Sequence, residues 1–267
     1  MLPEIRTSGD IYSIPEFDLD RNDVEDFLDI LEGFHAEFRN CFVREEGRNN
    51  FFYYTIGQFS QMERKSIEPM ALNVEGAKVR AVQRFISEAT WDVEKMMYIY
   101  RCMVNEDMGE EKGVLIIDES GFKKKGKDSA GVYKQYCGNI GKVDNCQVGV
   151  FAAYASSQGY SLLDKELFVP EIWFTDEYEE RREKCKFPLD LKFQTKPQLA
   201  ARMVEEIVEQ NIIPVKYVVA DSIYGNSPEF VEQVEKHTDK TYFLGVSSET
   251  KCWLRMPTTT EKKYKYR

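Results

Sequence analysis

The chain has 267 residues, 42% of them hydrophobic and 31% charged, which fits a soluble globular protein of one large or two small domains. No run approaches the length of a membrane span, and the first residues lack the shape of a signal peptide, so a cytoplasmic protein without membrane partners is expected. The six cysteines form no CxxC pair and only His35 and His237 are present, which speaks against a zinc site and favours reduced thiols.

The net charge of −10 speaks against a nucleic-acid partner until its distribution is read. Residues 1–32 hold ten acids and two arginines. Residues 120–145 hold six lysines against Asp128 and Asp144, and residues 251–267 hold six basic side chains against Glu261. Local basic patches are the electrostatic footprint of a phosphate-backbone binder. A solvated lysine loop is the plainer reading of either patch taken alone.

In chain order, residues 20–108 read as helical. Val24, Phe27, Leu28, Leu31 and Phe38 keep helical spacing, as do Val79, Val82, Phe85, Ile86 and Ala89, then Val93, Met96, Met97, Tyr100 and Val104. These stripes are expected in a core. The stretch 63–69 reads as a charged helix end stopped by Pro69. Gly109 and Gly113 bracket a break, after which short apolar runs begin. Residues 114–118 read as a strand followed by a lysine-glycine loop. Residues 147–155 and 160–169 read as a hairpin turned by 156–159, and 171–192 as polar and irregular. Thr195, Lys196 and Pro197 open a helix with Leu199, Met203, Ile207 and Val208 inward. A strand at 215–221, a helix from Ser227-Pro228 and a strand at 242–246 complete the pattern. The order β, β, β, α, β, α, β is that of an RNase H-like fold, in which the first and fourth strands pair in parallel. The expected class is α+β or α/β: a helical domain at 1–110, a mixed-sheet core at 111–250 and a basic polar tail at 251–267.

Two aspartates carry the chemistry. Asp118 ends one apolar strand run and Asp221 ends another. Ligands of open α/β sheets bind outside the carboxyl ends of the strands. On parallel neighbours the two carboxylates would share one rim at roughly one strand spacing, about 5 Å. Carboxylates that close repel unless a cation lies between them, and hard divalent ions such as Mg²⁺ suit the place. A lone aspartate at a strand end is usually a turn or cap residue, so the weight rests on the pair. Residues 121–128 (GFKKKGKD) approach the phosphate-loop pattern G-x₄-G-K-[ST], but Asp128 replaces the hydroxyl and no helix start follows. A basic DNA-contacting hairpin fits these lysines better than a nucleotide site. Tyr133, Gln135, Tyr136 and Cys137 beside them either stack bases or pack.

The stretches 61–71 (QMERKSIEPMA), 83–87 (QRFIS) with Trp91 and Asp92, 118–127 (DESGFKKKGK), 135–142 (QYCGNIGK), 145–148 (NCQV), 193–197 (FQTKP) and 220–225 (ADSIYG) resemble, in colinear order over roughly residues 50–250, bacterial insertion-sequence transposases of the DDE superfamily endonuclease type. The resemblance implies a helical N-terminal domain, an RNase H-like catalytic core, and DNA cleavage and strand transfer at transposon ends with two Mg²⁺ or Mn²⁺ ions. It makes Asp118 and Asp221 the first two acids of the triad and their metal ligands. It also implies double-stranded DNA as partner, with Lys123, Lys124, Lys125 and Lys127 on its backbone, and action as a homodimer on paired ends. The family's third acid, a glutamate on a late helix, is not found. Glu249 and Glu261 do not stand in a matching context, and the core is expected to be incomplete at its C-terminus. The rival expectation is therefore a truncated, non-catalytic derivative that binds DNA or inhibits transposition.

Overall fold

A computed structural model describes residues 21–251 apart from 61, 63, 64, 189, 238 and 239, with side chains from residue 26 onward. The acids before residue 21, the Val24 side chain, Glu63, Arg64, Cys252, Glu261 and the basic tail past Lys251 lie outside the described residues. The chain divides into two compact units, residues 1–104 and 105–267.

The first unit is helical: α1 (Arg21–Glu37), α2 (Glu45–Phe59), α3 (Ile67–Leu72), α4 (Val79–Glu88) and most of α5 (Val93–Met108). Its core gathers Phe38, Cys41, Phe42 and Phe85, with Phe34, Phe51, Trp91 and Met96 packed against them. The expected stripes are buried at Leu31, Phe38, Val82, Phe85 and Val104. Phe27, Leu28, Ile86 and Val93 are exposed instead. Phe27 turns its ring edge to Phe59 at 5.1 Å. Pro69 does not stop a helix. It is the third residue of α3, in the first turn, where its missing N–H would have had no intrahelical partner.

The second unit is built on a mixed sheet: β1 (Val114–Lys123), β2 (Tyr133–Cys137), β3 (Lys142–Ala155), β4 (Tyr160–Phe168), β5 (Tyr217–Ala220) and β6 (Thr241–Leu244). The strands run in the order β2-β3-β1-β5-β6, with β4 also on β3. β1 pairs antiparallel with β3 along its whole length and parallel with β5 only from Val114 to Ile117. The first and fourth expected strands are thus parallel neighbours, in an α+β arrangement of RNase H-like type. Three readings change. β1 does not end at Asp118, because β3 offers ten residues of register and draws the polar segment to Lys123 into the sheet. The aromatic and polar residues at 133–137 form an additional strand on the outer half of β3. The described residues of 171–192 gather around Trp173, which is fully buried beside the buried Val169, Tyr178 and Phe187 and donates its indole N–H to Val132 O at 3.1 Å. These described residues hold two short 3-10 turns, Glu171–Phe174 and Asp176–Tyr178, and the short helix α6 (Glu179–Lys184).

One face of the sheet, with Leu115, Ile117, Val148, Val150 and Ala152, is fully buried and carries α7 (Lys196–Gln210). α7 starts with a capping box, Thr195 accepting from the Gln198 N–H while Gln198 returns a bond to the Thr195 N–H. Two ion pairs lay it across the strands: Lys196 to Glu119 on β1 at 2.9 Å, and Arg202 to Glu166 on β4 at 2.8 Å. Glu119, Val150 and Glu166 are direct cross-strand partners and so share this face. Burial pushes the Glu166 carboxyl above its usual range, and the Arg202 charge opposes that.

After β5 the chain enters α8 (Ser222–Gly225) and α9 (Pro228–Glu235), the latter capped by Ser227. Here two glycines meet backbone to backbone. A Cβ on Gly225 would run into Gly245 O, and one on Gly245 would come within 2.8 Å of Ser222 N. Gly225→Ala should therefore lower stability by about 1–3 kcal/mol, the range for forcing extra volume into a packed site. Urea denaturation measures this, and an unchanged midpoint would show that the turn has room to move.

Candidate active site

Ile117 and Ala220 are the last paired residues of β1 and β5, so Asp118 and Asp221 are the next residue on each of two neighbouring parallel strands. Backbone positions on such strands lie about 5 Å apart. Both aspartates are exposed. Their local settings differ. Asp118 continues in β1 opposite Phe151 and accepts the Glu119 N–H at 2.8 Å. Asp221 leaves the sheet, becomes the N-cap of α8 and accepts the Ile223 N–H at 2.9 Å. The Asp118 carboxyl is raised above its usual range, first by desolvation and further by the charges of Glu119 and Asp221. The Glu119 N–H and the Lys196 charge act the other way. The charge of Asp221 thus reaches the Asp118 carboxyl.

Glu119 lies on the opposite face of β1, since successive strand residues alternate. Its side chain is 15% exposed, and both oxygens are engaged. Oε1 takes the Lys196 ammonium at 2.9 Å, and Oε2 accepts the hydroxyl of fully buried Tyr224 at 2.8 Å. Tyr224 stands on α8, three residues past Asp221. Burial, then the charge of Glu119 and its hydrogen bond, then the charges of Asp118 and Asp221 push the Tyr224 hydroxyl far up. It therefore stays protonated and donates to Glu119. Sequence reasoning missed this trio, although each member sits within a motif quoted above: DESG, TKP and SIYG.

The donor set fits a hard divalent cation: two aspartates that follow a paired position on neighbouring parallel strands, neither with a basic residue in hydrogen-bond contact among the described residues. No group of three or more His, Cys, Asp or Glu placed to hold a metal occurs among the described residues. Glu249 lies in an exposed turn, its N–H on Ser247 Oγ, and does not join the pair.

The lysines follow β1 outward. Lys123 ends the strand and pairs with Asp144 at 2.9 Å. Lys124, Lys125 and Lys127 lie on the loop that follows, which leads through a turn into β2 with no helix. The helix that a nucleotide-binding phosphate loop requires is thus absent from the described residues here. Asn145 holds the loop, its amide donating to Lys124 O at 2.7 Å and Gly126 O at 2.9 Å. Lys125 and Lys127 line a cleft of about 410 Å³ with Lys134, Arg181, Tyr133 and Asn145 among its walls. The Arg181 guanidinium lies 4.6 Å over the Tyr178 ring. The tip of the β2–β3 hairpin reaches back toward the aspartates, where Ser120 Oγ donates to Asn139 Oδ1 at 3.1 Å.

Asn145→Ala would strip two loop carbonyls of their partner. At about 1 kcal/mol for a net hydrogen bond, local opening should rise roughly fivefold or more. Tryptic cleavage after Lys124, Lys125 and Lys127 in the folded protein reads this out, and an unchanged cleavage rate would mean the loop is held by other contacts.

The family described as DDE superfamily endonuclease matches residues 37–267. The probable transposase for insertion sequence element IS701 of Microchaete diplosiphon is 27% identical over 212 residues, which cover 79% of this chain and 52% of that protein. The chain thus spans about half the length of this relative. With most of its residues inside the family match, the chain belongs to the DDE superfamily endonucleases.

Proposed function

We propose that this chain carries the aspartate pair of a metal-dependent DNA transposase that cleaves and joins DNA at insertion-sequence ends. The observation that carries the reading is the register: Asp118 and Asp221 are consecutive to a paired position on adjacent parallel strands, in a chain of this family. Asp118 and Asp221 would hold Mg²⁺ or Mn²⁺, two ions in the full site. Bound divalent ions supply a lowered pKa for an attacking water or 3′-hydroxyl and neutralise charge on the leaving oxygen. The protein's own part is to hold the two carboxylates at fixed spacing and to keep the DNA in register.

For DNA the basic cleft is the natural seat. Lys125, Lys127, Lys134 and Arg181 are cations on one concave surface, and Tyr133 offers a ring beside them. Lys123, bound to Asp144, would serve the backbone less directly than Lys124, Lys125 and Lys127. Lys123 is five residues along β1 from Asp118, roughly 17 Å at strand rise. That distance corresponds to about five nucleotides of one DNA strand. Backbone contacts of this kind position the duplex and carry little sequence information. In this reading residues 1–110 are a helical accessory domain, 111–250 the core and 251–267 a basic extension. The protein acts in the cytoplasm, as a homodimer on paired ends.

A second reading, DNA binding or inhibition of transposition without turnover, is favoured by one observation: no third acid joins the aspartate pair among the described residues. The two readings part in one assay, nicking of supercoiled and transposon-end DNA in Mg²⁺ and Mn²⁺. Asp118→Ala and Asp221→Ala are each expected to reduce nicking to background while DNA binding is kept. Equal nicking by wild type and both variants would sink the first reading, and binding without nicking by the wild type would establish the second. Lys125→Ala, Lys127→Ala and Lys134→Ala should each lower the slope of log affinity against log salt by about 0.9 per phosphate contact, for all sequences alike. A loss confined to one DNA sequence would contradict a backbone role.

A further inference from the structure

Glu119 stands out as a carboxylate on the buried face of a sheet. Its neighbours along β1 on that face are Leu115, Ile117 and Gly121, and its cross-strand partner is Val150, which is fully buried. An aliphatic side chain would satisfy such a place at no electrostatic cost. Burying a carboxylate is unfavourable unless its oxygens are paired, and removing one partner of a buried pair is more unfavourable still. The pairing here joins three separate elements. Oε1 holds Lys196, in the first turn of α7, and the Lys196 ammonium also lies 5.6 Å from the centre of the Phe168 ring on β4. Oε2 holds the hydroxyl of Tyr224 on α8, whose N-cap is Asp221. Glu119 itself follows Asp118 directly, and its N–H is the donor to the Asp118 carboxylate.

We propose that Glu119 is a positioning residue for the aspartate pair: its partly buried carboxylate, clamped between Lys196 and Tyr224, ties the strand bearing Asp118 to the short helix capped by Asp221. α8 has only four residues and cannot fix its own place. The backbone contact between Gly225 and Gly245 seats one side of it, and the Tyr224–Glu119 bond seats the other. With both oxygens occupied on the far face of β1, Glu119 does not serve as a third metal ligand. It acts through its neighbours, in the way that partners behind metal ligands set their orientation and affinity. The metal part of this inference rests on the aspartate-pair reading above. The mechanical part does not.

The test uses the full chain and the variants Glu119→Ala, Tyr224→Phe and the double variant, each checked for a folded circular-dichroism spectrum and a cooperative melt. Two readouts are taken. The first is Mn²⁺ affinity by electron paramagnetic resonance. Each single variant is expected to weaken it about tenfold or more, the range for lost outer partners of a metal ligand, and the double variant is expected to weaken it no further than Glu119→Ala alone. The second is amide hydrogen exchange at Ile223, whose N–H is held by Asp221. Faster exchange there, with global stability kept, is expected in both single variants. Mn²⁺ affinity within twofold of wild type and unchanged exchange at Ile223 in folded Glu119→Ala would overturn the proposal. Additive losses in the double variant would overturn it too, since Glu119 and Tyr224 would then act separately. If the wild type binds no Mn²⁺, the aspartate-pair reading fails, and exchange at Ile223 alone decides whether Glu119 ties the two elements. Should Glu119→Ala not fold, Tyr224→Phe, which removes one hydroxyl, carries the same two readouts.

Discussion

The parallel pairing of β1 with β5 stops one residue short of both aspartates, and the rest of the site depends on that limit. Within the paired stretch every position is set by ladder hydrogen bonds and by the buried residues Leu115, Ile117, Val218 and Ala220. Beyond it the two chains part. β1 continues because β3 still accompanies it, whereas β5 turns at Asp221 into α8. The divergence opens a rim at the two aspartates, where the Asp118 carboxyl is raised first by desolvation and then by the charges of Glu119 and Asp221.

The other side of the sheet is covered by α7. Its two cations, Lys196 and Arg202, each reach a carboxylate on a different strand, so the helix spans the sheet as an electrostatic strap as well as an apolar lid. The apolar contribution comes from Leu199, Ala200, Met203, Val204 and Ile207, all buried. These side chains fix how far α7 stands off the strands, while the ion pairs fix where along them it lies. The same helix therefore completes the core and places the Lys196 charge next to the acidic rim.

Much of this was legible in the amino-acid sequence, for definite reasons. Val114 to Ile117 and Tyr217 to Ala220 are compact apolar runs, each closed by an acid, and Thr195 with Pro197 marks a helix start without ambiguity. What stayed hidden depends on partners distant in the chain. The segment from Glu119 to Lys123 has the composition of a loop and becomes strand only because β3 pairs with it. Residues 133–137 alternate weakly and sit among lysines, so nothing local marks them as β2. Val169, Trp173, Tyr178 and Phe187 have no regular spacing, and their joint burial is a tertiary fact. Glu119 escapes a reading of the sequence because a charged residue beside a candidate site acid reads as solvent-facing. Its burial follows from strand alternation, which puts it on the face opposite Asp118.

The two hydrogen bonds from Asn145 bear on how the lysine loop meets a polyanion. A loop of glycine and lysine left free would lose conformational freedom on contact, and that loss would oppose association. With Lys124 O and Gly126 O already held, the ordering is completed during folding. If the loop meets DNA as proposed, association would draw mainly on the release of counterions from the polyanion, a gain that depends on ionic strength far more than on temperature-sensitive rearrangement of the protein.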